Sequence, residues 1–357
     1  MGLQTKSSTG KGAAPAPGVR ATSYDVARLA GVSQSAVSRV FRDGGSVSPA
    51  TRAKVERAAA DLGYAPSQIA RSLITQRSRL VGVVMTELTA RNYPELLHLL
   101  GQEIQNTGNR MLLCAVADDA GGAAAAADLL AFHVDGVVSS ASLPRRTLEA
   151  CARQAVPVVL YNRRPESSLV SAVACDHGAA MEALAGHLAA GGLGTSAFVA
   201  GPRGAPVSTD RLATLREALG RRGHAFGAVH HCDYSYAGGR ALAAAEWAGG
   251  AHPATVVCAN DAMALGVLDA LRFDLGLRVP RDVAVAGFDD VPQASWPTYG
   301  LTTLRQPVRR LTRTALRLLA EQMAGVETGG ERRLLPAELR MRASTRAASA
   351  APSGDTP

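Results

Sequence analysis

The sequence predicts a small all-α helix-turn-helix headpiece, a short linking helix, and an α/β core of two doubly wound parallel-sheet lobes. Three observations carry that expectation. Two short capped helices with a tight turn between them can be read from Thr22 to Phe41. The basic excess of the chain is concentrated in residues 1–78. From Leu80 onward, continuous apolar runs alternate with helical stretches.

Thr22 is placed to cap the first helix, and Asp25, three residues on, completes a capping-box pattern. Val26, Ala27, Leu29 and Ala30 are expected to form its apolar face, and Gly31 supplies the permissive backbone of a tight turn. Ser33 then caps a second helix with Val37 and Val40 facing inward. That leaves Gln34, Ser35, Ser38 and Arg39 outward near its N-terminal half, where a recognition helix meets base edges and phosphates. A third helix has Ser48 as N-cap, Pro49 at its first position and Gly63 just past its end. Val55, Ala59 and Leu62 give it an apolar stripe. The following stretch from Ser67 to Ile74 is a short potential helix, too short to stand alone in water.

Tyr24-Asp25-Val26-Ala27, Gly31-Val32-Ser33, Val37-Ser38-Arg39-Val40, Val47-Ser48, Thr51-Arg52, Val55 and Gly63-Tyr64-Ala65-Pro66 together resemble the headpiece of the LacI family of bacterial repressors. The resemblance continues almost to the C-terminus. It implies a headpiece over 20–66, a hinge helix over 67–77, a ligand-binding and dimerisation core over 78–345, and terminal tails over 1–19 and 346–357. It further implies that Tyr24, Ser33, Gln34, Ser35, Ser38, Arg39 and Arg42 contact DNA. Leu73, inserted from each of two hinges into the minor groove, would act as a wedge that kinks the duplex. The family usually has Asn at the position of Ser67 and often Thr at that of Ala36; the first change keeps a capping group and the second removes a phosphate contact.

Charge points the same way independently. Residues 1–78 hold 11 Lys and Arg against 4 Asp and Glu, a net of +7 out of a formal +8 for the chain. A basic segment ahead of a nearly neutral body is an electrostatic footprint for phosphate. Lys6 and Lys11 read as a solubilising tail, whereas Arg28, Arg39, Arg42, Arg52 and Lys54 lie on capped helices and are expected to serve DNA. At 357 residues and 47% hydrophobic, the chain has material for a headpiece and a core that splits into lobes. Met1–Gly18 is rich in Gly, Ser, Ala and Pro without an apolar run, and is expected to be neither a signal peptide nor an ordered element. No stretch approaches the ~20 apolar residues of a membrane helix. The scattered Cys114, Cys151, Cys175, Cys232 and Cys258 read as reduced cysteines of a cytoplasmic protein. The tail from Ala347 lacks the apolar heptads of a coiled coil and is expected to be disordered.

In the core, strands are expected at Leu80–Met85, Met111–Val116, Gly136–Ser139, Val156–Tyr161, Ala197–Ala200, Ala254–Ala259 and Val283–Phe288, as runs buried on both faces. Helical stretches among them include Pro94–Gly108, Gly178–Ala190, Arg211–Arg222, Asp261–Leu275 and Val308–Ala324. Ligands in such sheets bind beyond the carboxyl ends of the strands, so two lobes present facing sites across a cleft. The resemblance implies a periplasmic-binding-protein-like core with interleaved lobes, the chain crossing near Asp176 and Leu304 and once more late in the sequence.

Residues at those strand ends are the candidates for chemistry. In sugar-binding members of the family, the positions matching Asn162, Arg211, Asn260 and Asp289 hydrogen-bond ligand hydroxyls, and the one matching Tyr234 stacks on the ring. Such a set suits a polyol, because carboxylate and amide groups pair with hydroxyls while an aromatic face covers the C–H side. Each also has a plainer reading. Asp261 is expected as a helix cap, Asn162 could close a turn, Arg211 could pair with Asp210 or Glu217, and Tyr234 could be core. Were Arg91 and Arg163 to face the cleft, an acidic sugar or phosphosugar would fit better. Many members have Asn-Pro-Phe-Tyr where this chain has Ala90-Arg91-Asn92-Tyr93. Purine-binding members have an aromatic at the position of Asn92 and polar groups at those of Ala205 and Val207, which argues against a purine here.

Other motifs are weaker. Gly191-Gly192-Leu193-Gly194 precedes its strand and reads as a helix-to-strand turn rather than a phosphate loop. His230-His231-Cys232-Asp233 lacks further spaced ligands, so no metal or cofactor is expected. No nucleophile–base or paired-carboxylate set is present to suggest an enzyme; Asp289 and Asp290 are expected to point apart. The expected function is a DNA-binding transcription regulator, a repressor acting as a homodimer on double-stranded operator DNA under control of a small carbohydrate effector. The alternative is a solute-binding protein for transport, against which the basic headpiece counts.

Overall fold

The computed structural model describes residues 21–42, 45–65, 77–163, 165, 170–192, 194–224, 227–326 and 330–346. The chain divides into two compact units, one ending at Ser78 and one beginning at Arg79. None of the helices among the described residues is long and apolar enough to cross a membrane.

The first unit holds α1 (Ser23–Ala30), α2 (Gln34–Val40) and α3 (Pro49–Asp61). Thr22 and Asp25 form the capping box, and Gly31 ends α1 in the left-handed region at φ 64°. Ser33 caps α2 by accepting from the Ala36 amide at 3.2 Å, and Ser48 caps α3 ahead of Pro49. Val26, Val37 and Val55 are wholly buried at the centre of this small core. Leu29 departs from the expected inward face: it is 46% exposed, because Val26, Ala27 and Ala30 are the side of α1 turned to the core. The wedge candidate Leu73 and the whole hinge stretch from Ser67 to Ile74 lie outside the described residues.

The second unit runs β1 (Leu80–Thr86), α4 (Glu87–Asn92), α5 (Pro94–Asn106), β2 (Arg110–Val116), α6 (Gly122–Ala131), β3 (Gly136–Ser139), α7 (Arg145–Arg153), β4 (Val158–Tyr161) and β5 (Ser171–Asp176). It continues through α8 (His177–Ala190), β6 (Ser196–Ala200), α9 (Pro206–Gly220), β7 (Val229–His231), α10 (Tyr236–Glu246), β8 (Thr255–Cys258), α11 (Asp261–Asp269) and β9 (Ala284–Ala286). It closes with β10 (Thr303–Arg305), α12 (Val308–Met323), β11 (Arg332–Pro336) and β12 (Glu338–Arg340).

Two parallel sheets result, in the orders β11-β5-β4-β3-β1-β2 and β7-β6-β8-β9. Alternate side chains of β1 feed different clusters: Val81, Val83 and Met85 pack with α5 and α12, Val84 with α6 and α7. That division is what a strand clothed on both faces requires. β2 departs from the both-faces expectation. It is an edge strand with Leu113 38% exposed, since only β1 pairs with it. In the second lobe α8 to α11 enclose Phe198, Val257 and Val285. The lobes interleave as the resemblance implied. The chain leaves the first lobe after Asp176, returns to it at α12, and crosses a third time between β11, which pairs with β5, and β12, which pairs antiparallel with β10.

Candidate ligand cleft and nucleic-acid interface

The candidate cleft residues sit where strands of both lobes end. α9 begins at Pro206, a turn earlier than expected, so Arg211 lies inside the helix instead of opening it. Its guanidinium is buried, lies 3.5 Å over the Phe288 ring, donates to the Ala259 carbonyl, and reaches Asp289 Oδ1 at 3.3 Å. Stacking and a fork of donors are what arginine supplies and lysine does not. Burial pushes the Asp289 carboxyl up, while Arg211 and hydrogen bonds from Tyr93 and Gln306 pull it back. Arg211 Nε is buried and has no hydrogen-bond partner. Asp289 stands at φ 125° and Asp290 at φ 57°, a turn that sends the two carboxylates apart. Asp290 faces Arg305 Nε at 2.8 Å and Arg342 Nη2 at 2.6 Å.

Two further residues, not among the expected ligand residues, complete the cluster. Gln306, just past β10, donates to Asp289 Oδ1 at 2.9 Å and also to the Tyr93 hydroxyl. The Tyr93 hydroxyl in turn donates to Asp289. Asn162, at φ 55°, closes the turn after β4 and fixes the Gln306 amide: it accepts from the Cys175 amide at 3.0 Å and donates to Gln306 Oε1 at 2.7 Å. Asn162 therefore acts on the cleft through Gln306.

Asn260 and Tyr234 serve the fold more directly. Asn260, not Asp261, caps α11: its Oδ1 accepts from the Met263 amide at 3.0 Å, and its Nδ2 donates to the Tyr234 carbonyl at 3.1 Å. Asp261 instead accepts from the Val291 amide at 2.9 Å and from the Thr303 hydroxyl, holding the Asp289–Val291 turn. The Tyr234 ring is 7% exposed and lies against Gly201, where a Cβ would meet it at 2.0 Å. The looser candidates do not supply free positive charge to the cleft: Arg163 pairs with Asp119, and Arg91 with Glu87 on the surface. The two adjacent histidines are also engaged, His230 facing Glu246 and His231 bonding the Gly201 carbonyl.

A cavity of about 330 Å³ opens beside this cluster, lined by Tyr93, Asp289 and Gln306 and by Glu95, Arg305 and Arg342. Its charged lining is Glu95, Asp289 and Asp290 against Arg305 and Arg342, so it holds no positive excess to recruit an anion. Its volume lies at the lower end of the range for small-molecule pockets.

On the first unit, Ser35, Ser38, Arg39 and Arg42 are exposed along α2 and its end, and Tyr24 is 72% exposed on α1. Gln34 is half-buried and within 3.4 Å of Ser23 Oγ. Ser33 is occupied as the cap. Arg52, expected to serve DNA, donates to the Val40 carbonyl at 3.1 Å and the Gly45 carbonyl at 3.4 Å, so it ties α3 to the end of α2. Arg28 bonds Asp25 at 2.8 Å.

Comparison with known proteins adds independent findings. Residues 22–67 match the model for bacterial regulatory proteins of the lacI family, and 185–345 that for a periplasmic binding protein-like domain. The chain is 32% identical over 340 residues to the transcriptional regulator CelR of Thermobifida fusca, covering 91% of this chain and 98% of that one. Among solved structures, the lac repressor dimer bound to operator and the anti-inducer ONPF superposes with a TM-score of 0.83 at 29% identity, covering 92% of this chain and 100% of that one. A CelR–cellobiose complex gives a TM-score of 0.64 at 30% identity, covering 91% and 100%.

Proposed function

Because the chain belongs to the LacI family of bacterial transcriptional regulators, we propose that it is a repressor that binds a pseudo-palindromic operator as a homodimer under control of a neutral saccharide. In this reading α2 lies in the major groove with Gln34 and Ser35 at base edges and Ser38, Arg39 and Arg42 toward phosphates. Tyr24 and the α2 cap at Ser33 approach the backbone, and Leu73 from each subunit wedges the minor groove. The effector occupies the cleft, where Arg211 and Asp289 take its hydroxyls and Asn162 aligns Gln306 toward it. Asn260 and Tyr234 shape the wall. That relatives are described in complex with operator and with cellobiose favours DNA and saccharide as partners.

The observation that carries the effector class is the buried Arg211 Nε, an orphaned donor on the guanidinium that bonds Asp289, itself part of the wall of a cavity without excess positive charge. Buried donors are rarely left unsatisfied, and a hydroxyl oxygen would meet this one. A lining with more carboxylates than arginines disfavours the acidic sugar that free arginines would have suggested. Thermal-shift titration with neutral mono- and disaccharides tests the assignment. Asp289→Asn should abolish the shift that a bound sugar gives the wild type; an undiminished shift would remove Asp289 from the site.

A further inference from the structure

We infer that the Tyr93 hydroxyl is a built-in occupant of the polyol site, holding the position on Asp289 and Gln306 that a ligand hydroxyl must take, and latching the two lobes while it is there. This rests on the reading of the cleft as the effector site. Tyr93 precedes Pro94 at the start of α5, makes no capping bond with its side chain, and packs its ring against the core of the first lobe. Its hydroxyl crosses to the second lobe, donating to Asp289 and accepting from Gln306. Nothing in the local structure of α5 requires a phenol there; the apolar ring alone would satisfy the first-lobe core. The hydroxyl is what the partner lobe uses.

The chemistry of displacement defines the ligand. Burial, and then the charge of Asp289, push the Tyr93 phenol well above its ordinary value, so it stays protonated and donates to the carboxylate. A group replacing it must donate to Asp289 and accept from Gln306 with one atom. An alcohol does both; an ether or carbonyl cannot donate, and an ammonium cannot accept. A ligand hydroxyl therefore takes over the phenol's bonds and releases the latch, so cleft occupancy and lobe coupling exchange one for the other. Because a ligand can shift an equilibrium only through a difference in affinity between states, that exchange supplies the difference.

The test compares wild type with Tyr93→Phe, which removes one oxygen and keeps the ring. Hydrogen exchange of the full-length protein without ligand should be faster by about fivefold at the Asp289 and Asn162 amides, which bond the Leu304 and Val173 carbonyls at the cleft. Strand amides of β1 should not change. Gln306→Met, which removes the other half of the bridge, should act alike. Unchanged exchange at the cleft amides in both variants would overturn the latch. The second arm titrates glucose, ribose, lactose, maltose and cellobiose. A sugar that binds the wild type should bind Tyr93→Phe about fivefold tighter, because no hydroxyl has to be displaced. Equal or weaker binding would overturn the displacement. If none of these sugars binds either protein, the saccharide assignment fails, while the exchange arm still decides the latch.

Discussion

Asp261 is wholly buried, and burial, with Asp289 nearby, pushes its carboxyl up to about 7. An unfolded aspartate titrates near ~3.9, so folding takes up a proton between about pH 4 and 7. The contribution of Asp261 to stability is therefore fully present below about 4 and is lost as pH rises through 7. Asp261→Asn, a neutral isostere, should have a melting temperature that improves relative to wild type between pH 5 and pH 8; a constant difference would contradict this. The residue scale is also where the sequence was hardest to read. Arg211 and Asp289 stood out because they match positions that bond ligand hydroxyls in sugar-binding members of the family. Asn260 took the cap expected of Asp261, since either can cap a helix and only the Met263 amide decides between them. Gln306 gave no local signal and Tyr93 only its place in the Ala90–Tyr93 stretch: their bond joins residues 213 apart in sequence, and only the interleaving of the lobes brings them together. Arg52 looked like a phosphate ligand because its charge was visible and its two carbonyl acceptors were not.

At the scale of elements, local rules were sufficient where capping and periodicity decide. Ser33, Ser48, Gly31 and Pro49 place the headpiece helices, and β1, β3 and β6 fall on uninterrupted apolar runs. They failed where pairing decides. β11 reads Arg-Arg-Leu-Leu-Pro and becomes a strand only because β5 offers it an edge. β5 itself is short on large apolar residues and lies outside the expected strands for the same reason. Packing gives a sharper prediction. The Tyr234 ring closes over Gly201, so Gly201→Ala forces ring or backbone to move. Overpacking of this kind costs about 1–3 kcal/mol, measurable as a lower denaturation midpoint. A midpoint equal to wild type would mean that Tyr234 is free to swing away. Ser33→Ala should cost about 1 kcal/mol of cap energy and lower exchange protection along α2, leaving the second unit unchanged.

For the whole molecule, charge and fold divide the labour. The first unit carries nearly all of the net positive charge, and the second is a near-neutral pair of lobes with a polar cavity between them. Phosphate attraction belongs to the former and makes binding steeply salt-dependent, while in the proposed reading specificity needs the base-reading face and the wedge. Leu73→Ala should accordingly weaken operator binding far more than binding to unrelated DNA; equal losses would refute the wedge. The central claim is that the protein reads a specific operator and answers a neutral polyol. Selection of source-genome fragments by the purified protein at near-physiological salt, with and without neutral saccharides, tests it most directly. A shared pseudo-palindrome centred on a kinkable step, whose recovery changes with one sugar, is the predicted result. Salt-sensitive binding with no common motif in either condition would contradict it.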